Sequence, residues 1–463
     1  MILRIARKEI QLNLLSFRFQ VCIVLLFILI VGSMQIMATN YGRRLEDYST
    51  GAEIHRDDLL KMNSRLEFEA FGVTQDPKPS ILGVFAMGLE REMSRSFMIP
   101  GFATEERGQM SSTAPASKLQ GMQLEASKYS NPVFTLFQPP DFVYVINIVL
   151  SLLAMLFAFD AVSGEKENQT LKLMLTNSVP RDAVLIGKWL GGSVSIIIPF
   201  FVAFIAGLLS IVIRPYVSFS GEDWIRITLL LAVSSLYVCV FFLLGMVLST
   251  LTQRSATSLI LSLFAWIFFV LVVPNVSPVI ARQMVPLKTA DQIVREEERI
   301  ERDMRDELQN VPEEERAEKM KSLGEEIEAR TSALEDAYLR RLARQVNASV
   351  NLSRLSPSSS FTYAAVNLAG TGVTDYNKLK ERIIRYKYEL RDSRNKFLLD
   401  DRSKNIPMLY IVIDYEKLPV FHQPRSDLAS SISNSLLDLA LLFVFAVAFF
   451  MVSFIRFLRY DVK

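Results

Sequence analysis

The sequence predicts an all-α polytopic membrane protein. It has six transmembrane helices, both termini on the cytoplasmic side, and two mainly helical extracytoplasmic insertions in which an α+β arrangement would also fit. Three observations carry that class. Half of the 463 residues are hydrophobic and the mean hydropathy is +0.26, with the apolar residues gathered in blocks. Six blocks reach the roughly 20 predominantly apolar residues that a spanning helix requires. Basic residues sort to alternate connections, as the positive-inside rule demands.

Residues 1–18 read as an amphipathic interfacial helix. Ile2, Leu3, Ile5, Ile10 and Leu12 alternate with Arg4, Arg7 and Lys8, which suits a helix lying flat on a membrane; the basic region of an anchor would look the same. The first span, 19–39, is too long and lacks the small-residue cleavage pattern of a removable signal peptide. Residues 40–141 form the first insertion. Within it 51–72 is compatible with helix or strand, and 102–121 has loop composition. Residues 131–142 set aromatics and two prolines before the next span, as an interfacial aromatic belt or as a lid at the outer leaflet. The second span, 142–160, begins with a charge-free run from 142 to 159, and the third, 184–213, contains one from 189 to 213. Between them lies a charged amphipathic linker, 161–183. Spans four and five occupy 227–251 and 257–278.

The second insertion, 279–432, opens with a charged helical stretch at 290–346. Between 291 and 344 it holds 17 acidic and 11 basic residues, paired at helical spacing as in Glu298–Arg302 and Glu326–Arg330. Apolar positions recur at three, four and seven, and Pro312 marks a break and a new start, so the pattern predicts a helical hairpin or short coiled coil. Residues 356–372 read as a loop, 375–399 as a second helix, and 408–421 as a strand or extended connector. The sixth span, 433–455, and a tail, 456–463, close the chain. Arg4, Arg7, Lys8, Arg18, Lys166, Lys172, Arg181, Lys188, Arg254, Arg456, Arg459 and Lys463 all fall on one side if the spans alternate, against Arg214 and Arg226 in the short opposite connection. That side is cytoplasmic by the positive-inside rule.

The chemistry of an enzyme is missing. Gly187-Lys188 is followed by Trp189 rather than the hydroxyl residue of a phosphate loop, and no HExxH, CxxC or GxSxG occurs. His55 and His422 stand alone, and Cys22 and Cys239 lie within spans, so no catalytic, metal or cofactor site is predicted and no disulfide framework. The net charge of +2 follows topology and gives no argument for nucleic acid. Asp438 lies about one turn into span six, where an ionisable residue is a functional candidate by default, with snorkelling to the interface as the plainer account. The spans lack the buried carboxylates or histidines of a proton-driven carrier, so the energy for any movement comes from elsewhere.

At 158–181 the chain resembles the permeases of the ABC type-2 exporter family, whose fold is called type V. The family pattern runs approximately E-[KR]-x-x-G-T-L, then L-L, a small residue, P and a basic residue. This sequence supplies Glu165, Lys166, Thr170, Leu171, Met174, Leu175, Pro180 and Arg181, with Gln169 where the family usually has glycine. Residues 2–10, 76–90, 351–361 and 454–462 are similar to the branch with long external insertions, which includes permeases linked to gliding motility and copper-enzyme maturation. The resemblance implies a half-transporter of a bacterial cytoplasmic (inner) membrane, an exporter or a mechanotransmission complex. It would pair with a second permease copy, as a homodimer or with a related chain, and with two cytoplasmic ABC ATPases that carry ATP and Mg. An extracytoplasmic protein partner is compatible with the insertions. The ATPases would grip the coupling helix through Glu165, Lys166, Glu167, Thr170, Leu171, Leu175, Pro180 and Arg181, and the N-terminal helix through Arg7 and Lys8. In the family span five borders the central interface, which makes Ser258, Ser262, Ala265 and Trp266 candidates for the dimer interface; packing against span four within one subunit is the alternative for these small residues. A rival reading is a membrane-anchored scaffold or sensor whose external helices bind a partner without transport.

Overall fold

The computed structural model describes residues 1–61, 72–99, 140–171, 180–309, 312, 315–402 and 418–459. A short helix, α1 (Ile2–Leu15), precedes the bundle. Among the described residues six helices are long and apolar enough to cross a membrane: α2 (Phe17–Lys61), α3 (Phe142–Glu167), α4 (Arg181–Val212), α5 (Gly221–Leu251), α6 (Ser255–Met284) and α11 (Leu428–Leu458). Each contains one of the six apolar blocks. The basal end of the bundle carries α1, the 159–171 segment and the last turn of α11; the distal end carries the insertions.

Helix α2 outruns its apolar block. Its 45 residues span about 65 Å at the helical rise, roughly twice a hydrocarbon core, so 51–61 is helix. No proline interrupts it, and its distal part has a surface to pack on. Gly42 lies so close to Tyr216 that a Cβ there would fall 2.9 Å from the ring, and Arg44 faces Glu90 at 3.8 Å. The expected loop 102–121, the aromatic stretch 131–139 and most of 408–421 lie outside the described residues.

The two insertions share a core. Strands β1 (Val73–Gln75) and β2 (Phe97–Ile99) pair antiparallel, Val73 opposite Ile99. Val73, Phe97 and Ile99 pack with Leu379, Ile383, Tyr386 and Leu390, which come from the second insertion. That insertion contains α7 (Ala290–Gln309), α8 (Arg316–Ser353), α9 (Pro357–Ala369) and α10 (Val373–Arg402). Helices α7 and α8 end and begin either side of Pro312, as the charge pattern predicts.

Helix α9 corrects the loop expected at 356–372. Ser356 caps it, accepting from the Ser358 N–H, Pro357 holds the first turn, and Gly370 ends it in the left-handed region at φ 72°. The helix is buried against α5 and α11, and Phe361 stacks on Tyr237 of α5 at 4.3 Å. Small side chains allow this close approach within a bundle, and their hydroxyls find partners. Ser358 Oγ donates to Asn147 Oδ1 at 2.7 Å, and Ser356 Oγ donates to the Phe269 carbonyl. Both acceptors sit in π-helical stretches, Ile146–Leu150 of α3 and Ile267–Val272 of α6, where the regular ladder is interrupted. Arg226 of α5, 1% exposed, donates to the Leu368 carbonyl at 2.8 Å, in the last turn of α9, to Ser431 Oγ at 2.9 Å and to the Ser426 carbonyl at 2.5 Å.

Asp438 does not snorkel. It is fully buried in α11 and takes a two-pronged contact from Arg354, Nε to Oδ1 at 2.7 Å and Nη2 to Oδ2 at 3.0 Å. The guanidinium arrives from the α8–α9 elbow, 84 residues away in sequence, which is why an isolated reading of span six cannot supply it.

Glu90, outside the membrane-spanning helices, is 1% exposed. Burial pushes its carboxyl up to about 7, against the opposing influence of the Ser80 N–H and Arg44. The folded protein therefore holds a proton that the unfolded chain releases near 4.5. This contribution favours folding fully at low pH and is lost as pH rises through about 7. Thermal unfolding at pH 5 and pH 8 should show that Glu90→Gln removes about 3 kcal/mol of this pH dependence; equal slopes for the variant and the parent would refute it.

Candidate functional site

The basal end is organised around the exit of α3. After Ala158 the chain turns, and the turn is fixed from α5: Ser249 Oγ accepts both the Val162 N–H and the Ser163 N–H at 2.9 Å. Ser163 Oγ closes the turn on the Phe159 carbonyl at 2.8 Å. A short helical segment, Ser163–Glu167, then presents three successive charges.

Each charge fastens a different element. Glu165 Oε1 lies 2.8 Å from Lys188 Nζ on α4, and the same ammonium bonds Glu9 Oε1 of α1 at 2.7 Å. Lys166 Nζ donates to the carbonyls of Thr250 at 2.6 Å and Thr252 at 3.0 Å. These close α5, so the cation sits at the negative end of a helix dipole. Glu167 Oε2 accepts the Ser255 N–H at 2.9 Å, the first N–H of α6, where an anion is favoured. The three residues thus tie α3 to α4, α5 and α6, and through Lys188 to α1.

Beyond the charges, Asn168, Gln169 and Thr170 are exposed and Leu171 is buried. Gln169 has φ 57°, the one non-glycine residue in the left-handed region among the described residues. The turn for which the family uses glycine is therefore kept with a side chain that disfavours it by roughly 1–2 kcal/mol. Gln169→Gly should raise stability by about 0.5–1 kcal/mol, the strain relief less the entropy of glycine, and Gln169→Val should lower it; a loss with glycine in chemical denaturation would refute this. Leu175 lies outside the described residues. Pro180 is exposed, and Arg181 Nη1 donates to the Leu458 carbonyl at 2.6 Å, at the end of α11.

Helix α1 does not lie free. It seats on a glycine groove of α4: a Cβ on Gly191 would stand 2.7 Å from the Ala6 carbonyl oxygen, and one on Gly187 would stand 2.8 Å from Ile5. Asn13 Nδ2 donates to Ser195 Oγ at 3.2 Å. Arg7 and Lys8 point outward, as do Leu3 and Leu12.

The span-five residues pack inward within the subunit. Ser258 and Ser262 are buried, Ser258 Oγ donates to the Phe159 carbonyl at 2.6 Å, and Trp266 Nε1 donates to Ser151 Oγ at 2.9 Å. Ala265 packs beside them against the same core. Span four is the partner expected for packing within one subunit; the hydrogen bonds of Ser258 and Trp266 run instead to α3. The outward face of α6 carries Ile260, Leu263 and Phe264. Sequence reasoning singled out the three charges, read Lys188 only as a marker of topology, and missed Glu9 and Ser249. The available signal was Lys188, one cation at the mouth of a charge-free run, with Glu9 the one acid among the basic residues of 1–18.

The chain matches the model of a family described as ABC-2 family transporter protein over residues 3–462. It is similar to a probable ABC transporter permease protein NosY of Pseudomonas aeruginosa, 32% identical over 130 residues, 27% of this chain and 46% of that protein. A probable ABC transporter permease protein NosY of Stutzerimonas stutzeri is 30% identical over 126 residues, with the same coverage. The chain thus spans just under half the length of the curated relatives it matches.

Proposed function

The chain belongs to the ABC-2 family of transporter proteins, and from that premise we propose that it is the membrane subunit through which a separate ATPase does work on the bilayer or beyond it. The observation that carries this reading is the fastening of one short segment to the ends of α4, α5 and α6. A displacement applied at 163–171 reaches four spans at once. A scaffold whose work is done by its external helices has no use for such a node.

The ATPase, with ATP and Mg on its own residues, docks on the exposed edge formed by Glu167, Asn168 and Thr170, beside Arg7 and Lys8 of α1. The basal end is then cytoplasmic, in a bacterial inner membrane. A second copy of the chain completes the pathway, meeting this one through the outward face of α6 rather than through Ser258. The shared core of the insertions receives the motion on the outer side, where a substrate or a protein partner is engaged. Hydrolysis should be measured for the purified chain, the partner ATPase and the two together. The chain alone is expected to be inactive, and the complex active and stimulated at least tenfold over the ATPase alone; Thr170→Trp should abolish the stimulation while leaving the fold unchanged. Strong hydrolysis by the chain alone, or full stimulation with Thr170→Trp, would overturn the proposal.

A further inference from the structure

Lys188 is 4% exposed and lies between two carboxylates, Glu9 at 2.7 Å and Glu165 at 2.8 Å, each 20% exposed. A single buried ammonium needs at least one anion beside it, since a charge left unpaired in such a site is strongly disfavoured, and here it draws two anions to itself. The two carboxylates come from different elements, Glu9 from α1 and Glu165 from the short segment Ser163–Glu167 that ends α3. Gly187 and Gly191 flank the lysine on α4 and bring the α1 backbone flush against it. Glu165 keeps its second oxygen buried without a partner, so Lys188 is its one charged contact among the described residues.

We infer that Lys188 is a positioning residue that joins α1 and the coupling segment into one rigid cytoplasmic body. The inference rests on the coupling function proposed above and goes beyond it, because it names how two separate surfaces offered to an ATPase move together. Glu165, which reads in sequence as a contact for the ATPase, acts inward instead. The two ion pairs are links in series: α1 to Lys188, then Lys188 to the segment.

A series linkage has a signature that mere stabilisation lacks. Glu9→Gln and Glu165→Gln each leave Lys188 paired with the other carboxylate, so the fold is retained, and each cuts one link. Both are expected to lower partner-stimulated ATPase activity about tenfold, and the double variant to be no worse than either single one. Spin labels at Gln11→Cys and Gln169→Cys, exposed and outside the docking edge, with Cys22 and Cys239 replaced, give the direct readout by distance measurement. The parent should show one narrow distance, unchanged when the ATPase is added and trapped with nucleotide; Glu9→Gln should broaden it. Lys188→Arg should restore most of the coupling that Lys188→Met loses. Losses that multiply in the double variant, or a parent distance that shifts by several ångströms with nucleotide, would overturn the inference. An absence of any stimulated ATPase with a narrow distance that Glu9→Gln still broadens would leave the joint standing and sink the coupling function alone.

Discussion

Replacing Arg354 with methionine will destabilise the distal half of the bundle by about 3–5 kcal/mol, the range for breaking one side of a buried pair. Asp438 is fully buried, and both its oxygens are taken by Arg354. Methionine keeps much of the side-chain length and leaves the carboxylate with no cation, in surroundings where ionised groups are disfavoured. The second change tells the pair from the packing: Asp438→Asn in the Arg354→Met background should recover most of the loss, because the unpaired charge, not the missing arginine, causes it. Thermal unfolding in lipid nanodiscs reads both. A single variant within 1 kcal/mol of the parent would show that the pair does not hold α11 to the elbow between α8 and α9, the range being that of an ordinary surface pair.

Gly191→Val will lift α1 off α4. The added Cβ would meet the Ala6 carbonyl oxygen at 2.7 Å and Glu9 Cβ at 2.8 Å, so a main-chain atom, not a flexible tip, stands in the way. Overpacking of this kind disfavours the native arrangement by about 1–3 kcal/mol. Arg4, Arg7 and Lys8 are exposed already, but the displaced helix frays and frees the backbone beside them for trypsin, and cleavage at these sites should accelerate at least tenfold. Gly32→Val is the control, since a Cβ at Gly32 meets nothing within 4 Å. Equal cleavage rates for the two variants would show that α1 does not depend on the groove.

The spans were legible because a lipid-facing helix needs apolar length above all, and six blocks supply it. The α7–α8 hairpin was legible in its charge spacing and in Pro312. Helix α9 was not, because serine, glycine and proline together have the composition of a loop. The order in which they stand, Ser356-Pro357 at one end and Gly370 at the other, is that of a capped helix, and small residues are what a helix buried among spans requires. The reach of α2 to Lys61 was hidden for another reason: the surface that supports its distal part lies beyond the helix, as where Asp76 meets His55 at 2.7 Å. At the basal end the motif showed where the chemistry lies but not which way it faces. Glu165, Lys166 and Glu167 look outward-facing in a charged linker, and only the positions of Lys188, Thr250 and Ser255 reveal that Glu165 and Lys166 turn in while the exposed Glu167 reaches the start of α6. Asp438 and Arg354 show the same limit, since a pairing across 84 residues leaves no local pattern.

The central claim is that the 163–171 segment and α1 together receive the ATPase. Single cysteines placed in turn at Arg7, Lys8, Asn168, Thr170 and, on the far side, Tyr144, in a chain lacking Cys22 and Cys239, test it in the assembled complex. Short crosslinkers should join the ATPase to positions 7, 8, 168 and 170, with adducts that change in yield when nucleotide is trapped, and should leave Tyr144 unreacted with it. Crosslinking from Tyr144, or none from the four basal positions in a complex that still hydrolyses ATP, would contradict the account.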